Sequence, residues 1–256
     1  TRRFVNKMTF LIARPKDKAE LTLAEFSRYH LKASVLPLIE VVISQEKSLY
    51  EQLNSAHPSG ILITSTYAAQ WLVDLIETKR LLLDLPKIEI ICVGKSTARI
   101  ISSTINIRQV TIASPENSEG ILALEYLQAV KQQNIVLLKG HGGRELISKV
   151  LLERNANLTV LNVYKRIAKI EAIKAFAFEQ SEIKCIIVTS IEITKLLLSS
   201  VDKKYLISCQ WIVASERIKD YAHSLGIKHI TVSQGASNKA LLNSANHLVN
   251  TGVFND

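Results

Sequence analysis

The chain has 256 residues, 47% of them hydrophobic, and its 32 Lys and Arg against 23 Asp and Glu give a net charge of +9. No apolar stretch approaches the ~20 residues of a membrane-spanning helix, and residues 1–7 precede no signal-peptide core, so a soluble, cytoplasmic protein without a membrane partner is expected. The charge favours a small polyanionic partner over nucleic acid, because the basic residues are dispersed and the aromatic content is only 6%; a solvated basic surface without a function is the alternative.

The predicted strands are nearly continuous runs of Ile, Val and Leu, which is typical of parallel strands covered by helices on both faces. In chain order these runs are Phe10–Ala13, Leu36–Val42, Gly60–Ile63, Ile90–Val93, Ile135–Leu138, Leu158–Val163, Cys185–Val188 and Trp211–Val213. Apolar residues three and four apart predict helices between the strands, including one over Gly143–Arg154. The predicted fold class is therefore α/β with parallel sheets.

One series of segments occurs twice in the same order: a strand, a Thr-Ser pair, a helix, a strand, a Ser-bearing turn and a helix. The first copy begins at Gly60 and the second at Cys185. A shorter module of strand, helix and strand opens at Phe10 and again at Ile135, so that short and long modules alternate. This alternation predicts two domains that arose by duplication, with exchanged or nested segments.

Two segments, 36–42 and 158–166, each end a short module and precede a change in composition. If the chain changes domain at both, residues 1–38 and 168–256 form one discontinuous domain, and residues 42–163 form an inserted domain. Residues 39–41 and 164–167 are then paired linkers, which are expected to act as a hinge.

The segment Val93–Thr97 suggests a P-loop, but position 89, where that motif needs its first glycine, is Glu89. What remains is a helix N-terminus after a strand, whose free amides favour an anion. Ser96 or Thr97 could equally cap this helix. The similar turn at Ser215–Arg217 in the second copy favours the anion site.

The segment Gly140–Arg144 also follows a strand, and it matches a dinucleotide-binding loop only loosely. Its glycines would let a ligand approach the backbone amides, and Arg144 could pair with a carboxylate through both arms of its guanidinium.

Two Thr-Ser pairs, Thr64-Ser65 and Thr189-Ser190, end buried strands on the side where ligands bind in open parallel sheets. Either pair alone would be read as a helix cap, but their repetition favours a shared ligand cleft. Tyr164 follows an apolar strand at a proposed crossing, so its hydroxyl could reach that cleft; a half-buried boundary tyrosine is the alternative.

Cysteine and histidine spacing disfavours disulfides and metal sites. Cys92, Cys185 and Cys209 are odd in number and form no CxxC pair, which predicts reduced core residues. The six histidines lack metal-ligand spacing, so no structural zinc is expected.

The order of these segments resembles the uroporphyrinogen-III synthase family through almost the whole chain. The resemblance rests on Leu11–Pro15, Leu36–Leu38, Ile63–Ser65, Val93–Ala98, Ser118–Leu122, Leu138–Leu146, Val163–Arg166, Val188–Ser190 and Ser215–Ile218. The chain departs from the family pattern at Ala13, where members more often have Thr, and at Lys139, where Arg is frequent.

This resemblance implies two flavodoxin-like domains, a two-stranded linker and an active site in the interdomain cleft. It implies a cyclising lyase of haem and tetrapyrrole biosynthesis, which converts hydroxymethylbilane to uroporphyrinogen III with inversion of ring D and loss of water. No metal or organic cofactor is implied, and a monomer is expected. The polycarboxylate substrate would account for the basic charge of the chain.

Tyr164 is the candidate catalytic residue, as a proton donor to the leaving hydroxyl. The candidate substrate-binding residues are Arg14, Thr64, Ser65, Ser96, Thr97, Gly142, Gly143, Arg144, Thr189, Ser190, Ser215 and Arg217. A non-catalytic two-domain receptor for a small polyanion is the alternative function, and a nucleic-acid module is a third interpretation that no recognition motif supports.

Overall fold

The structure, a computed structural model, describes residues 9–104, 110–143, 145–176, 178 and 182–252. The chain forms two compact units. Unit 1 comprises residues 1–40 and 167–256, and unit 2 comprises residues 41–166. The chain therefore passes from one unit to the other twice.

Unit 1 contains a five-stranded parallel sheet of spatial order β2-β1-β9-β10-β11. Its strands are β1 (Thr9–Ala13), β2 (Lys32–Val35), β9 (Ile183–Val188), β10 (Gln210–Val213) and β11 (Ile230–Val232). Its helices are α1 (Lys16–Arg28), α8 (Ile170–Ala175), α9 (Ile191–Ser200), α10 (Lys203–Ser208), α11 (Glu216–Ser224) and α12 (Asn238–Thr251).

The second sheet has six strands in the order β3-β8-β7-β4-β5-β6. Its strands are β3 (Ile39–Ile43), β4 (Gly60–Ile63), β5 (Glu89–Cys92), β6 (Val110–Ile112), β7 (Asn134–Gly140) and β8 (Asn157–Ala168). The helices of unit 2 are α2 (Lys47–Ser55), α3 (Thr66–Glu77), α4 (Lys95–Thr104), α5 (Ser118–Leu122), α6 (Glu125–Gln128) and α7 (Leu146–Glu153), with a short 3₁₀ helix at Leu85–Lys87.

The two sheets share one strand order, which explains the repeat in the sequence. In unit 1 the five strands, counted along the chain, are arranged 2-1-3-4-5, as in flavodoxin-like folds. In unit 2 the strands β8-β7-β4-β5-β6 have the same arrangement, but the pair β7 and β8 comes last in the chain. The short module is therefore first in unit 1 and last in unit 2. The predicted α/β class with parallel sheets is confirmed.

Both faces of each sheet are buried, as the apolar strands require. In β1, Leu11 belongs to the core cluster that contains Trp211, whereas its neighbour Phe10 belongs to the opposite cluster. On that opposite side the ring of Phe10 meets Phe26 of α1 edge to face, with centroids 5.4 Å apart. Each such buried side chain contributes about 1.5–3 kcal/mol to stability.

Two predicted element boundaries are wrong. Helix α7 begins at Leu146 rather than Gly143, because Gly142 (φ 75°) and Gly143 (φ 87°) have left-handed backbone conformations that no α-helix contains. The predicted strand at 36–42 begins later than expected, because residues 36–38 connect the end of β2 at Val35 to the start of β3 at Ile39. Pro37, within this connection, has no N–H to donate to a strand ladder. Residues 39–41 and 164–167 lie within strands β3 and β8.

Candidate functional site

In each unit, the carboxyl ends of two central strands meet at the point where the strand order reverses. In unit 1, Ala13 at the end of β1 pairs with Val188 at the end of β9. In unit 2, Leu138 of β7 pairs with Ile63 at the end of β4. Ligands of open α/β sheets bind outside such switch points. The polar residues that follow these strands are therefore the first candidates for substrate contacts.

The pair Thr64 and Ser65 follows β4, and both side chains make hydrogen bonds within the chain. The Thr64 hydroxyl donates to the Leu138 carbonyl at 3.0 Å, and the Thr64 N–H donates to the same oxygen at 3.2 Å. Ser65 caps α3, because its Oγ accepts the Ala68 N–H at 3.2 Å. Both residues are half-buried. Capping, the alternative weighed for this pair, is thus what the Ser65 hydroxyl does.

In the equivalent pair of unit 1, the serine has the same capping role. Ser190 caps α9 by accepting the Ile193 N–H at 3.2 Å, and Thr189 is half-buried before it. Ser215 also lies at an N-cap position, that of α11, yet its side chain makes no capping hydrogen bond. Arg217 is exposed in the first turn of α11. The α11 turn is therefore more accessible to a ligand than the two Thr-Ser pairs.

The N-terminus of α4 already holds a carboxylate of the chain. Glu116 accepts the Lys95 N–H at 3.1 Å, and its Oε2 lies directly beside Gly94, where an added side chain would displace the carboxylate. Ser96 is exposed beside this contact, whereas Thr97 is buried. The free amides at this helix N-terminus favour a negative group, and here that group is the Glu116 side chain.

Arg14 directly follows β1 and is only 5% exposed. Its Nη1 donates to Thr22 Oγ1 at 2.6 Å and to Asn238 Oδ1 at 2.9 Å, and its Nη2 donates to the Ala236 carbonyl at 2.7 Å. The guanidinium thus connects the end of β1 to α1 and to the start of α12. This arrangement suits a residue that positions the loop before α12.

The loop after β7 is open where the sequence predicts substrate contacts. Gly142 and Gly143 are exposed, and among the described residues, chain neighbours aside, an added Cβ at either position would meet no heavy atom within 4 Å. Arg144, the third candidate in this loop, lies outside the described residues. At the two ends of the loop, Lys139 is 7% exposed and donates from Nζ to Glu145 Oε1 at 2.7 Å. The Lys139–Glu145 ion pair therefore connects the two ends of the loop.

Tyr164 lies on β8 beside this loop and is 6% exposed. A register shift after Lys139 pairs Tyr164 with Gly140, and the Tyr164 carbonyl accepts the His141 N–H at 2.8 Å. The phenol ring contacts the ring of Tyr67, with centroids 5.4 Å apart, and the Arg166 guanidinium carbon lies 5.9 Å from its centroid. The side chain is thus bordered by a glycine, an aromatic ring and a cation.

Unit 2 therefore places Tyr164 beside the loop that contains Gly142 and Gly143, and places Thr64 directly after β4, the strand next to β7. Unit 1 brings together Arg14, Thr189 and Ser190 at its own switch point. The sequence analysis did not indicate Tyr67, whose ring contacts Tyr164, or Glu116, which accepts the Lys95 N–H. Tyr67 lies two residues after Ser65 in the first turn of α3, a spacing that could have indicated it. No sequence pattern indicates Glu116.

The described residues contain no group of three His, Cys, Asp or Glu side chains that could hold a metal ion. Across the same part of the chain, no helix has the length and apolarity to span a membrane. Cys92, Cys185 and Cys209 are free and buried, as predicted. Burial raises the pKa of the Cys92 thiol to about 12 and that of Cys209 to about 11, so both stay protonated at neutral pH.

Known proteins are similar to this chain over nearly its whole length. The family model described as "Uroporphyrinogen-III synthase HemD" matches residues 21–243. The uroporphyrinogen-III synthase of Escherichia coli (strain K12) is 30% identical over 244 residues, which cover 92% of this chain and 98% of that protein.

Two crystal structures share the fold at low sequence identity. A mutant uroporphyrinogen III synthase from the extremely thermophilic bacterium Thermus thermophilus has a TM-score of 0.67 at 14% identity, covering 95% of this chain and 99% of its own. The uroporphyrinogen-III synthetase from Helicobacter pylori 26695 has a TM-score of 0.62 at 16% identity, covering 94% and 99%. With the family match over most of its length and the identity to the Escherichia coli protein, the chain belongs to the uroporphyrinogen-III synthase family.

Proposed function

We propose that this chain closes the linear tetrapyrrole hydroxymethylbilane into uroporphyrinogen III, with inversion of ring D and loss of water. Membership of the uroporphyrinogen-III synthase family is the single observation that carries this function. The chain is accordingly an enzyme, a cyclising lyase of haem biosynthesis. The residue roles below are proposals that rest on the geometry of the two switch points.

The substrate carboxylates are bound by amides and hydroxyls at the ends of the strands in both units. In unit 2 the backbone amides of the exposed Gly142 and Gly143 supply the donors. In unit 1 the Ser215 hydroxyl and the exposed Arg217 do so at the start of α11. A net charge of +9 raises the local concentration of a polyanion.

The remaining candidate residues differ in how much of their hydrogen-bonding capacity is already used within the chain. Ser65, Ser190 and Thr64 use their hydroxyls within the chain, so each offers a substrate only its spare acceptor or donor capacity. Arg14 positions the loop before α12. At α4, a substrate carboxylate replaces that of Glu116, which leaves Ser96 and Thr97 beside the bound group.

Tyr164 donates the proton that lets the hydroxyl of ring A leave. The carbon–oxygen bond breaks with both electrons on oxygen, water departs, and the pyrrole nitrogen, which keeps its proton, supplies the electron pair that forms the protonated azafulvene. Ring D then attacks through its substituted carbon to give the spiro intermediate. This intermediate opens by breaking the bond from that carbon to the bridge it shared with the neighbouring ring, and it closes again through the other α-carbon of ring D. The proton lost when the pyrrole regains its aromaticity returns to the phenolate. General acid assistance of this kind contributes about 10²–10⁴-fold.

Selectivity for the inverted product comes from holding the bilane in one folded shape. The bilane also closes without inversion in the absence of an enzyme, so the protein must favour attack through the substituted carbon. Contacts to several carboxylates fix that geometry. Their binding free energy offsets the conformational entropy that the flexible bilane loses when it is held in one shape. The proposal includes a monomeric enzyme of the cytoplasm, a setting in which buried thiols such as Cys185 stay reduced.

The proposal is tested by giving purified protein fresh hydroxymethylbilane with no added metal or cofactor. The type III isomer is expected as the main product, at a rate well above that of spontaneous closure. Heat-denatured protein is the control. If the product is only the type I isomer, formed at the rate seen without protein, the chain is not a synthase; tight product binding without turnover would then favour a polyanion receptor.

A further inference from the structure

The ring of Tyr164 occupies the space that a side chain at position 140 would need, so that only glycine fits there. A Cβ placed on Gly140 would lie 2.5 Å from Cε2 of the Tyr164 ring and 2.8 Å from its hydroxyl oxygen. Real Cβ atoms essentially never approach other atoms below about 3.0 Å. The ring of Tyr164 therefore rests directly on the backbone of Gly140.

The backbone conformation of Gly140 does not by itself require glycine. In this loop, Gly142 and Gly143 have left-handed conformations, whereas Gly140 is not among the positive-φ residues described. Gly140 is the last residue of β7 and pairs in register with Tyr164. Glycine is therefore needed at this position because it has no side chain, and not because of its backbone conformation.

The contact with Gly140 sets the place of the phenol hydroxyl. The Tyr164 Oη lies over the Gly140 backbone, at the start of the loop whose next residues are the exposed His141, Gly142 and Gly143. Tyr67 contacts the same ring, with centroids 5.4 Å apart, so the ring is bordered by both neighbours. A methyl group at position 140 would move the hydroxyl out of this place.

We propose that Gly140 is a positioning residue for the reaction: it acts through Tyr164, by leaving the space that holds the phenol hydroxyl at the edge of the glycine loop. This inference rests on the proposed function, in which Tyr164 donates the proton. Gly140 itself touches no substrate atom in this account. Its effect should therefore appear in the turnover rate and in product selectivity, and depend on the presence of the Tyr164 hydroxyl.

The first experiment compares Gly140→Ala with Gly60→Ala. Gly60 is a matched control, because a Cβ there would also meet a tyrosine, with Tyr126 Oη at 2.9 Å, but at the opposite end of the sheet. Gly140→Ala is expected to lower kcat at least tenfold, with KM changed less than threefold, and to lower the fraction of type III product. Gly60→Ala should keep the wild-type kcat and isomer ratio. Equal loss of kcat in both variants would overturn the inference.

A double-mutant cycle with Tyr164→Phe separates the two proposals. In the Tyr164→Phe background, Gly140→Ala should reduce kcat less than threefold further, because the hydroxyl it displaces is already absent. A full tenfold loss in that background would show that Gly140 acts by another route. If Tyr164→Phe alone keeps the full rate, the proposed role of Tyr164 is wrong. If Tyr164→Phe is slow and Gly140→Ala is not, only the present inference is wrong.

A folding control covers the case in which Gly140→Ala does not fold. Replacing the ring as well, in Gly140→Ala with Tyr164→Ala, removes the collision. This double variant should melt at the temperature of Tyr164→Ala alone, as judged by circular dichroism. If it remains unfolded while Tyr164→Ala folds, the collision with Tyr164 is not what Gly140 avoids, and the inference is overturned.

Discussion

Arg14 and Lys139 occupy equivalent positions in the two units: each is a buried cation directly after the central-strand residue that is paired at the switch point. Arg14 comes after Ala13, the partner of Val188, and Lys139 comes after Leu138, the partner of Ile63. Their hydrogen bonds differ. Arg14 donates to α1, α12 and the loop before α12, whereas Lys139 donates to Glu145 before α7.

Arg14→Met is expected to destabilise the protein by about 2–4 kcal/mol. The substitution removes three hydrogen bonds from a charged group and leaves Thr22 and Asn238 without that donor. Urea unfolding measures the effect. Arg28→Met is the control, because the Arg28 side chain is 75% exposed and should change stability by less than about 0.5 kcal/mol. Equal stability of the two variants would contradict the positioning role of Arg14.

The serine residues at the helix starts should separate into two classes. Ser65→Ala and Ser190→Ala each remove a capping hydrogen bond and should cost about 0.5–2 kcal/mol of stability, with modest effects on turnover. Ser215→Ala should leave stability nearly unchanged, because its side chain makes no cap, and should raise KM. Thermal melts and steady-state kinetics on all three test this. A folded Ser65→Ala or Ser190→Ala protein with no turnover would mean that the hydroxyl is catalytic.

Glu116→Gln is expected to lower KM severalfold for the polyanionic substrate. The Glu116 carboxylate accepts the Lys95 backbone N–H. The neutral side-chain oxygen of the glutamine in this variant would compete less well with a substrate carboxylate for that N–H. The same change should cost about 0.3–1 kcal/mol of stability, since a negative charge at a helix N-terminus is favourable. Glu125→Gln, in the first turn of α6, is the control for altered charge. An unchanged or higher KM in Glu116→Gln would exclude α4 as a substrate contact.

The buried thiol of Cys92 predicts a loss of stability in alkaline solution. Burial raises its pKa to about 12 from about 9, so below pH 9 the thiol is neutral in both states and contributes no pH dependence. Above pH 9 the unfolded chain releases a proton that the folded chain retains, which lowers the free energy of unfolding by about 1.4 kcal/mol per pH unit. Urea unfolding at several pH values from 8 to 10.5 gives the free energy of unfolding at each pH. This free energy should fall less steeply with pH in Cys92→Ala than in the wild type. Identical slopes would contradict this assignment.

The fold was largely predictable, because strands that are buried on both faces are apolar throughout and their repetition is visible in the sequence. The start of α7 was not predictable in this way. The apolar periodicity of residues 146–153 predicts a helix that extends back to the preceding glycine pair, which has positive φ and is not helical. The start of β3 at Ile39, rather than at residue 36, follows from the connection that contains Pro37.

The candidate site was predictable only in part, because hydrogen bonds between distant segments decide which donors are available. Arg14 binds residues more than 200 positions away in the chain, and Glu116 reaches Lys95 across 21 positions. No local pattern reveals such partners. The proximity of Gly140 to Tyr164 likewise depends on a register shift in β7 and β8 that the sequence does not mark.

The central claim, that the phenol of Tyr164 assists departure of the hydroxyl, is tested most directly by the turnover of hydroxymethylbilane by Tyr164→Phe. Tyr29→Phe, at a tyrosine that is 55% exposed on the surface near α1, serves as the control. We expect Tyr164→Phe to lower the turnover rate by about 10²-fold or more while product binding and melting temperature stay nearly unchanged. A Tyr164→Phe protein with the full rate and the full type III selectivity of the wild type would contradict the account.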